Sequence, residues 1–326
     1  MLALIFTLFS LASIVAIFLK FLTADGDFTL LSKKHIKREE IEDKVVWITG
    51  ASRGIGEVLA KQLATLGAKL ILSARNEAEL QRVKRELTGK HAPNEVIILP
   101  LDLASGEDSL REAVQKAESF FAGAGVDYMI HNAAYERPKA AALDATEDSL
   151  KATFNINVLG TISLTRLLAP SMLRRGRGHF VVMSSAAGKS PAPGQAVYSA
   201  SKFALNGYFH SLRSELYQKG IKVTIVCPGP IKTSSTAEVS ATAKGFSEKR
   251  VSSERCAELT IVAASHGIKE AWISYQPVLA VMYLVQYMPT VGYWLMDKIG
   301  AKRVETAAQK GNTYSLGLLF GKKKAS

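Results

Sequence analysis

From Lys44 onward the chain alternates short, β-branched apolar runs with stretches of helical spacing, and no other feature restricts its fold as much. The runs at 45–49, 69–73, 96–101, 126–131, 179–184, 223–226 and 272–274 are almost continuously apolar. Strands look like this when helices cover both faces of a sheet, because neither face then meets water. Between the runs the pattern predicts helices over 55–66, 77–86, 107–120, 147–172 and 197–218. Strand, helix, strand in repetition implies an α/β fold: one doubly wound parallel sheet with helices on both sides, spanning residues 44–275. No internal repeat interrupts it.

Two segments lie outside this unit. Residues 1–22 form a run whose first charged side chain is Lys20, long enough to cross a hydrocarbon core, which takes about 20 residues. A cleaved signal peptide would place its basic residues before the apolar run, so the segment reads as a transmembrane anchor, followed by a charged juxtamembrane linker at 23–43. Residues 276–326 are apolar at first and end in a basic tail. The stretch 271–296 has no charged side chain, yet holds Pro277, Pro289, Trp272 and Trp294. A second span, an interfacial hairpin, the wall of a lipophilic pocket and a buried subunit contact all suit it; the prolines weigh against a straight span and the aromatic residues favour the headgroup zone. Residues 234–251, rich in Ser, Thr and Ala, read as a surface segment and candidate lid.

A formal charge of +12 raises the question of nucleic acid. No nucleic-acid-binding motif accompanies it, and the basic clusters flank apolar segments or the chain end, where anionic lipid is the simpler partner. Two cysteines, Cys227 and Cys256, lack metal-ligand spacing and argue against a disulfide framework.

The first strand runs straight into Thr49-Gly50-Ala51-Ser52-Arg53-Gly54-Ile55-Gly56. Backbone that approaches a pyrophosphate has no room for Cβ, and the helix that follows offers free N–H groups to anionic oxygen. The Gly-x-x-x-Gly-x-Gly spacing resembles the short-chain dehydrogenase/reductase family, whose catalytic unit is a Rossmann-type sheet. No acid closes the second strand; Arg75 stands there instead, and Arg53 lies in the glycine turn. Two guanidinium groups in these places suit the 2′-phosphate of NADP(H), which an acid would repel. The resemblance extends to Asp102-Leu103 as the adenine contact and to His131-Asn132-Ala133-Ala134, similar to the family's Asn-Asn-Ala-Gly with His first and Ala last. In the same way Pro228, Gly229, Ile231 and Thr233 resemble the turn beside the nicotinamide.

Tyr198 and Lys202 are spaced to share one helix face. A phenol is a poor base at neutral pH, and a neighbouring ammonium favours its ionised form. Ser185 stands thirteen residues before the tyrosine, at the family's serine spacing, without the Gly-x-Ser-x-Gly elbow of a serine hydrolase. Asn157, in Asn-x-x-Gly, resembles the fourth member of the family's tetrad. The resemblance implies hydride transfer between nicotinamide and a carbonyl carbon, with Tyr198 giving the proton, Ser185 steadying the oxygen and Asn157 holding a water that links Lys202 to solvent. Tyr198 and Lys202 also belong to the implied cofactor contacts.

Trp272-Ile273-Ser274-Tyr275-Gln276-Pro277 and Gln286-Tyr287-Met288-Pro289-Thr290 are similar to membrane-anchored members of the family associated with steroid and retinoid carbonyls. A lipophilic carbonyl or alcohol is therefore the expected substrate, with a long-chain lipid ketone, or a catalytically silent membrane-tethered binding protein, as the rival readings. Relatives form homodimers or homotetramers through the helices that carry Asn157 and Tyr198. Lys33, Lys34, Lys37 and Arg38 after the anchor favour a cytosolic catalytic domain, and Lys323-Lys324-Ala325-Ser326 resembles a dilysine signal of the endoplasmic reticulum membrane; a lumenal domain is the alternative.

Overall fold

Every residue of strand β1 (Val45–Thr49) is buried, and alternation divides its side chains between two cores: Val46 and Ile48 enter one, Val45 and Trp47 the other. This is what a strand covered on both faces requires. The computed structural model describes residues 2–33, 35–136, 139–233 and 249–308. Before β1 come α1 (Leu2–Thr23) and the single turn α2 (Phe28–Leu31). After it follow α3 (Gly54–Thr65), β2 (Lys69–Ser73), α4 (Glu77–Glu86), β3 (Ile97–Ile98), α5 (Glu107–Gly123), β4 (Tyr128–His131) and α6 (Glu147–Phe154). A π-helical stretch, Asn155–Gly160, leads into α7 (Thr161–Arg175), β5 (Gly178–Met183), α8 (Ala196–Leu216) and β6 (Ile221–Pro228). The described chain continues through β7 (Ile231–Lys232), β8 (Val251–Ser252), α9 (Ser253–Ser265), β9 (Glu270–Ile273), α10 (Val278–Tyr287) and α11 (Pro289–Ala308).

The seven-stranded sheet has the order β3-β2-β1-β4-β5-β6-β9, and every pairing in it is parallel. The direction in which successive strands are added reverses between β1 and β4, so the two halves wind away from each other and leave a crevice at the carboxyl ends of those strands. Apolar residues of α3, α4 and α9 fill the core on one face; α5, α7 and α8 fill the other.

The sequence reading agrees with the structure at helix 147–172 and differs from it at two places in the strands. The expected helix runs without a break as Glu147–Arg175, with a π-helical stretch at Asn155–Gly160, where a Cβ on Gly160 would lie 2.2 Å from the Leu103 carbonyl oxygen. The expected strand 96–101 keeps regular pairing only at Ile97–Ile98, although Leu99 and Leu101 still donate to the carbonyls of Leu72 and Ala74; Pro100 between them has no N–H to give. The short pair β7–β8, with Ile231 opposite Val251, has no counterpart in the sequence reading. Of the segment 234–251 proposed as a lid, residues 234–248 lie outside the described residues, as does the basic tail at 309–326.

The linker at 23–43 is docked rather than free. Asp27 N–H donates to the Trp272 carbonyl at 2.9 Å and its carboxylate accepts from Trp272 N–H at 2.5 Å, so the segment is bonded to the edge strand β9. Leu30 and Ile41 are almost completely covered in the core. At the other end, chain beyond 275 belongs to the packed unit: Leu279 and Met282 of α10 join the second core. The helix breaks at Met288, before Pro289, so 271–296 does not form one straight span, and α10 is only 10 residues long. Phe6–Thr23 has the length and hydropathy to cross a membrane, and none of its residues is fully buried, although Phe21 at its end packs against the second core.

Candidate active site

The glycine turn between β1 and α3 is shaped by its neighbours. Gly50 has φ +66°, and a Cβ on it would lie 2.8 Å from Ala133 Cα; a Cβ on Gly56 would lie 2.1 Å from the Gly50 carbonyl oxygen. Both positions are closed to larger residues by backbone. Gly54, φ +59°, differs: its Cβ would meet only Thr233 Cγ2, at 3.9 Å, so its missing side chain leaves open space on the crevice side. Asn132, at the end of β4, fastens the turn by donating from Nδ2 to the carbonyls of Thr49 and Gly50, both at 3.1 Å. The Thr49 hydroxyl accepts in return from the N–H groups of Asn132 and Ala133.

Above this turn lies a crevice of about 1120 Å³, ample for a dinucleotide on the scale of ordinary ligand sites. Thr49, Gly50, Ser52, Arg53, Gly54, Ile55, Arg75, Asp102, Leu103, Asn132, Ala133 and Thr233 all line it. Gly56, Pro228, Gly229 and Ile231 do not line it, though Gly56 packs directly against Gly50 of the lining. Gly229 N–H donates to the Ile273 carbonyl, and a Cβ there would lie 2.3 Å from Ser274 Oγ. The donor set fits a nicotinamide dinucleotide: a glycine cradle at a helix start, two exposed arginines on the adenosine side, and Asp102, whose carboxylate also caps the turn by accepting from Ala104 N–H at 3.0 Å.

A further support was not foreseen from sequence. Arg82 of α4 donates to the Ser52 carbonyl at 3.3 Å and to both oxygens of Glu57 on α3. Glu79 and Glu86 complete its coordination, and Lys61 ties Glu57 to Glu86. Hydrogen bonds from Arg82 keep the Glu57 carboxyl below its usual range despite burial. The signal was present in the spacing of Glu79, Arg82 and Glu86 on one helix face, but nothing in it named Glu57 or Ser52.

The chemistry-bearing residues gather beyond the crevice, at the carboxyl ends of β4, β5 and β6. Tyr198 and Lys202 project from one face of α8, with the Lys202 ammonium 5.5 Å from the centroid of the Tyr198 ring. Lys202 is buried and donates to the Met183 carbonyl at the end of β5, at 2.9 Å. Burial pushes its pKa down to about 8, with Glu136 and Cys227 opposing. Ser185 follows β5; its hydroxyl accepts from Ala187 N–H at 3.1 Å and donates to the Pro228 carbonyl at 3.5 Å. Asn157 occupies the π-helical stretch, a form of helix that recurs at functional sites. Its side chain accepts from Tyr135 N–H at 2.7 Å and donates to the Tyr135 carbonyl and to Ser201 Oγ. Asn157 thereby braces the loop after β4 against α8, next to the lysine.

Behind Ser185, Glu270 collects three donors: Lys189 at 3.0 Å, and His210 Nε2 and Trp272 Nε1, each at 2.6 Å. Burial opposes ionisation, but these bonds and the Lys189 charge hold the Glu270 carboxyl down to about 2. The cluster ties the loop after Ser185 to α8 and to β9.

The family model described as short chain dehydrogenase matches residues 44–244. Dehydrogenase/reductase SDR family member 7 of Homo sapiens is 40% identical over 300 residues, covering 88% of this chain and 87% of the human protein. The Mus musculus protein of the same name is 39% identical over 300 residues, covering 88% of each. Among solved structures, a metagenomic short-chain oxidoreductase in complex with NADP superposes with a TM-score of 0.58 at 27% identity, covering 69% of this chain and 92% of that one. With its parallel sheet, glycine cradle and matching relatives, the chain is an oxidoreductase and belongs to the short-chain dehydrogenase/reductase family.

Proposed function

We propose that the chain is an NADP(H)-dependent carbonyl reductase and alcohol dehydrogenase acting on lipophilic substrates such as steroids or retinoids. The carrying observation is the Tyr198–Lys202 pair, fixed on α8 by burial of the lysine and its bond to Met183. In reduction Tyr198 gives its phenolic proton to the substrate oxygen, and the Ser185 hydroxyl turns from the Pro228 carbonyl to donate to that oxygen; oxidation runs the same path backwards. Bound NADP(H) supplies or accepts the hydride. The Lys202 charge stabilises phenolate at Tyr198, and Asn157 keeps the lysine's surroundings in register from the π-helical stretch, with a water held there as the proton path to solvent.

Preference for NADP(H) is supported by Arg53 and Arg75 on the crevice wall, neither of which has an acidic partner among the described residues, and by the NADP bound to the metagenomic oxidoreductase. Membrane attachment through α1 with a cytosolic catalytic domain is supported by the apolar run and the basic residues after it, and the endoplasmic reticulum by the Lys323-Lys324 pair near the end of the sequence. Self-association is supported by Leu150, Leu159 and Phe203, which stay exposed on α6, the π-helical stretch and α8.

The test is NADPH oxidation with a panel of steroid, retinoid, aromatic and long-chain lipid ketones, set against Tyr198→Phe. Loss of a positioned general acid lowers turnover about 10²- to 10⁴-fold. Equal rates in the two proteins, or no turnover of any carbonyl by the wild type, would refute the reading and leave a tethered binding protein.

A further inference from the structure

The end of α1 is not free to swing. Phe21 stacks on Phe28 at 5.5 Å and meets Tyr283 of α10 at 5.7 Å, and Tyr283 in turn meets Trp272 of β9 at 4.8 Å. Gln276 Nε2 donates to the Phe21 carbonyl at 3.0 Å, and Phe28 N–H donates to the Tyr283 hydroxyl at 3.2 Å. The last turn of α1 is therefore held against the start of the α10–α11 pair. The start of that pair is thereby held beside whatever surface α1 enters.

The face that α10–α11 leaves uncovered is built for such a surface. Tyr287, Met288, Val291, Tyr293 and Trp294 are all exposed, Tyr287 by 70% and Trp294 by 58%. They cluster around the break at Pro289, where Gly292 packs so tightly on Val285 that a Cβ would lie 2.7 Å from Val285 Cα. Tyrosine and tryptophan prefer the boundary between headgroups and hydrocarbon. Lys298 reaches to 5.7 Å from the Trp294 ring centroid, carrying a cation to the rim of the apolar patch, as side chains do that extend toward lipid phosphate.

We infer that the exposed face of α10–α11 is immersed in the interface of the same bilayer leaflet that α1 enters, giving the domain a second, laterally displaced membrane contact. The inference rests on the proposed attachment through α1, and the occupant is lipid because the patch continues from that helix through the aromatic cluster. Further along α11, Gly300 and Val304 lie beside Pro193 and Gly194, the loop just before Tyr198. One helix thus joins the membrane face to the loop that leads into the site.

Cys227 and Cys256 are buried, so single cysteines added to the full-length protein can be spin-labelled selectively. Val291→Cys and Trp294→Cys report on the proposed face, Val15→Cys on α1, and Tyr217→Cys on an exposed position in the turn after α8. Relaxation by oxygen and by a water-soluble nickel chelate is measured in phosphatidylcholine vesicles. The expected result is that labels at 291 and 294 are open to oxygen and shielded from nickel, as at 15, while 217 shows the reverse. Labels at 291 and 294 that respond to nickel as 217 does, or that are shielded from both agents as in a contact with a second copy or another protein, overturn the inference. If label 15 is also open to nickel, the α1 reading fails; if 15 is immersed and 291 and 294 are not, the second contact alone fails.

Discussion

Lys202 holds a charge where charge is costly. Burial pushes its pKa down to about 8 from the ordinary 10.5, so the unfolded chain keeps this proton to higher pH than the native one does. The native state bears the full penalty below pH 8 and is relieved of it as pH rises toward 10.5. Across that window wild type should gain on the order of 3 kcal/mol relative to Lys202→Met, at about 1.4 kcal/mol per pK unit. Denaturant titrations of both proteins at the two ends of the window measure this, and parallel stability curves would show that the amine does not titrate there. The arginines make a separate prediction. Charge-assisted bonds are worth about 1.5–3 kcal/mol each, so Arg53→Ala and Arg75→Ala should each weaken NADPH binding about 10- to 100-fold. NADH, which has no 2′-phosphate, should be bound nearly as before; an equal loss for both cofactors would place these side chains elsewhere than the phosphate.

The turn between β1 and α3 divides its duties between two neighbouring glycines. Gly56→Ala drives a methyl against the Gly50 carbonyl oxygen at 2.1 Å and Asn132 Nδ2 at 2.5 Å. Backbone cannot yield there, so α3 must lift from β1, at a cost of about 3 kcal/mol or more. Gly54→Ala meets no such obstacle; its cost is the left-handed backbone, about 1–2 kcal/mol, while the methyl projects toward the crevice. Thermal melts and cofactor titrations should therefore separate them: Gly56→Ala loses mainly stability, Gly54→Ala mainly cofactor affinity. The reverse ranking would mean that Gly54 does not face the dinucleotide. These elements also mark what sequence could convey. The limits of α4, 77–86, and of β1 and β2 follow from local periodicity and agree with the structure. The helix 147–172 follows too, but the π-helical stretch inside it and the close approach of Gly160 to Leu103 across the fold do not. Likewise the spacing of Tyr198 and Lys202 reveals a shared face, but not that the Met183 carbonyl receives the amine, nor that Ser201 bonds Asn157.

Two histidines buried in the sheet make its stability depend on acid. His131 at the end of β4 lies 2.8 Å from Thr165 Oγ1, whose own proton goes to the Thr161 carbonyl. His179 at the start of β5 repeats the arrangement with Thr224 Oγ1, which donates to the Ile268 carbonyl. Each hydroxyl can then only accept from the ring, which assigns the proton to Nε2 and leaves Nδ1 bare; both Nδ1 atoms are buried and unpartnered. Protonation would bury a charge and a donor facing no acceptor. Burial accordingly pushes both pKa values down to about 3. The unfolded chain binds these protons from about pH 6.5 downward, so the stabilisation is complete above that pH and is lost between 6.5 and 3. The slope is up to about 1.4 kcal/mol per pH unit for each ring. The Glu270 carboxyl, held down to about 2, adds its own loss only from the range where unfolded glutamate titrates downward, so the upper part of the decline belongs to the histidines. The double substitution His131→Asn and His179→Asn should lower stability at neutral pH, because it disturbs two packed sites, yet flatten its dependence on pH between about 6.5 and 5. Urea titrations across that interval decide it: an unchanged slope in the double variant would mean that acid opens the molecule at some other place.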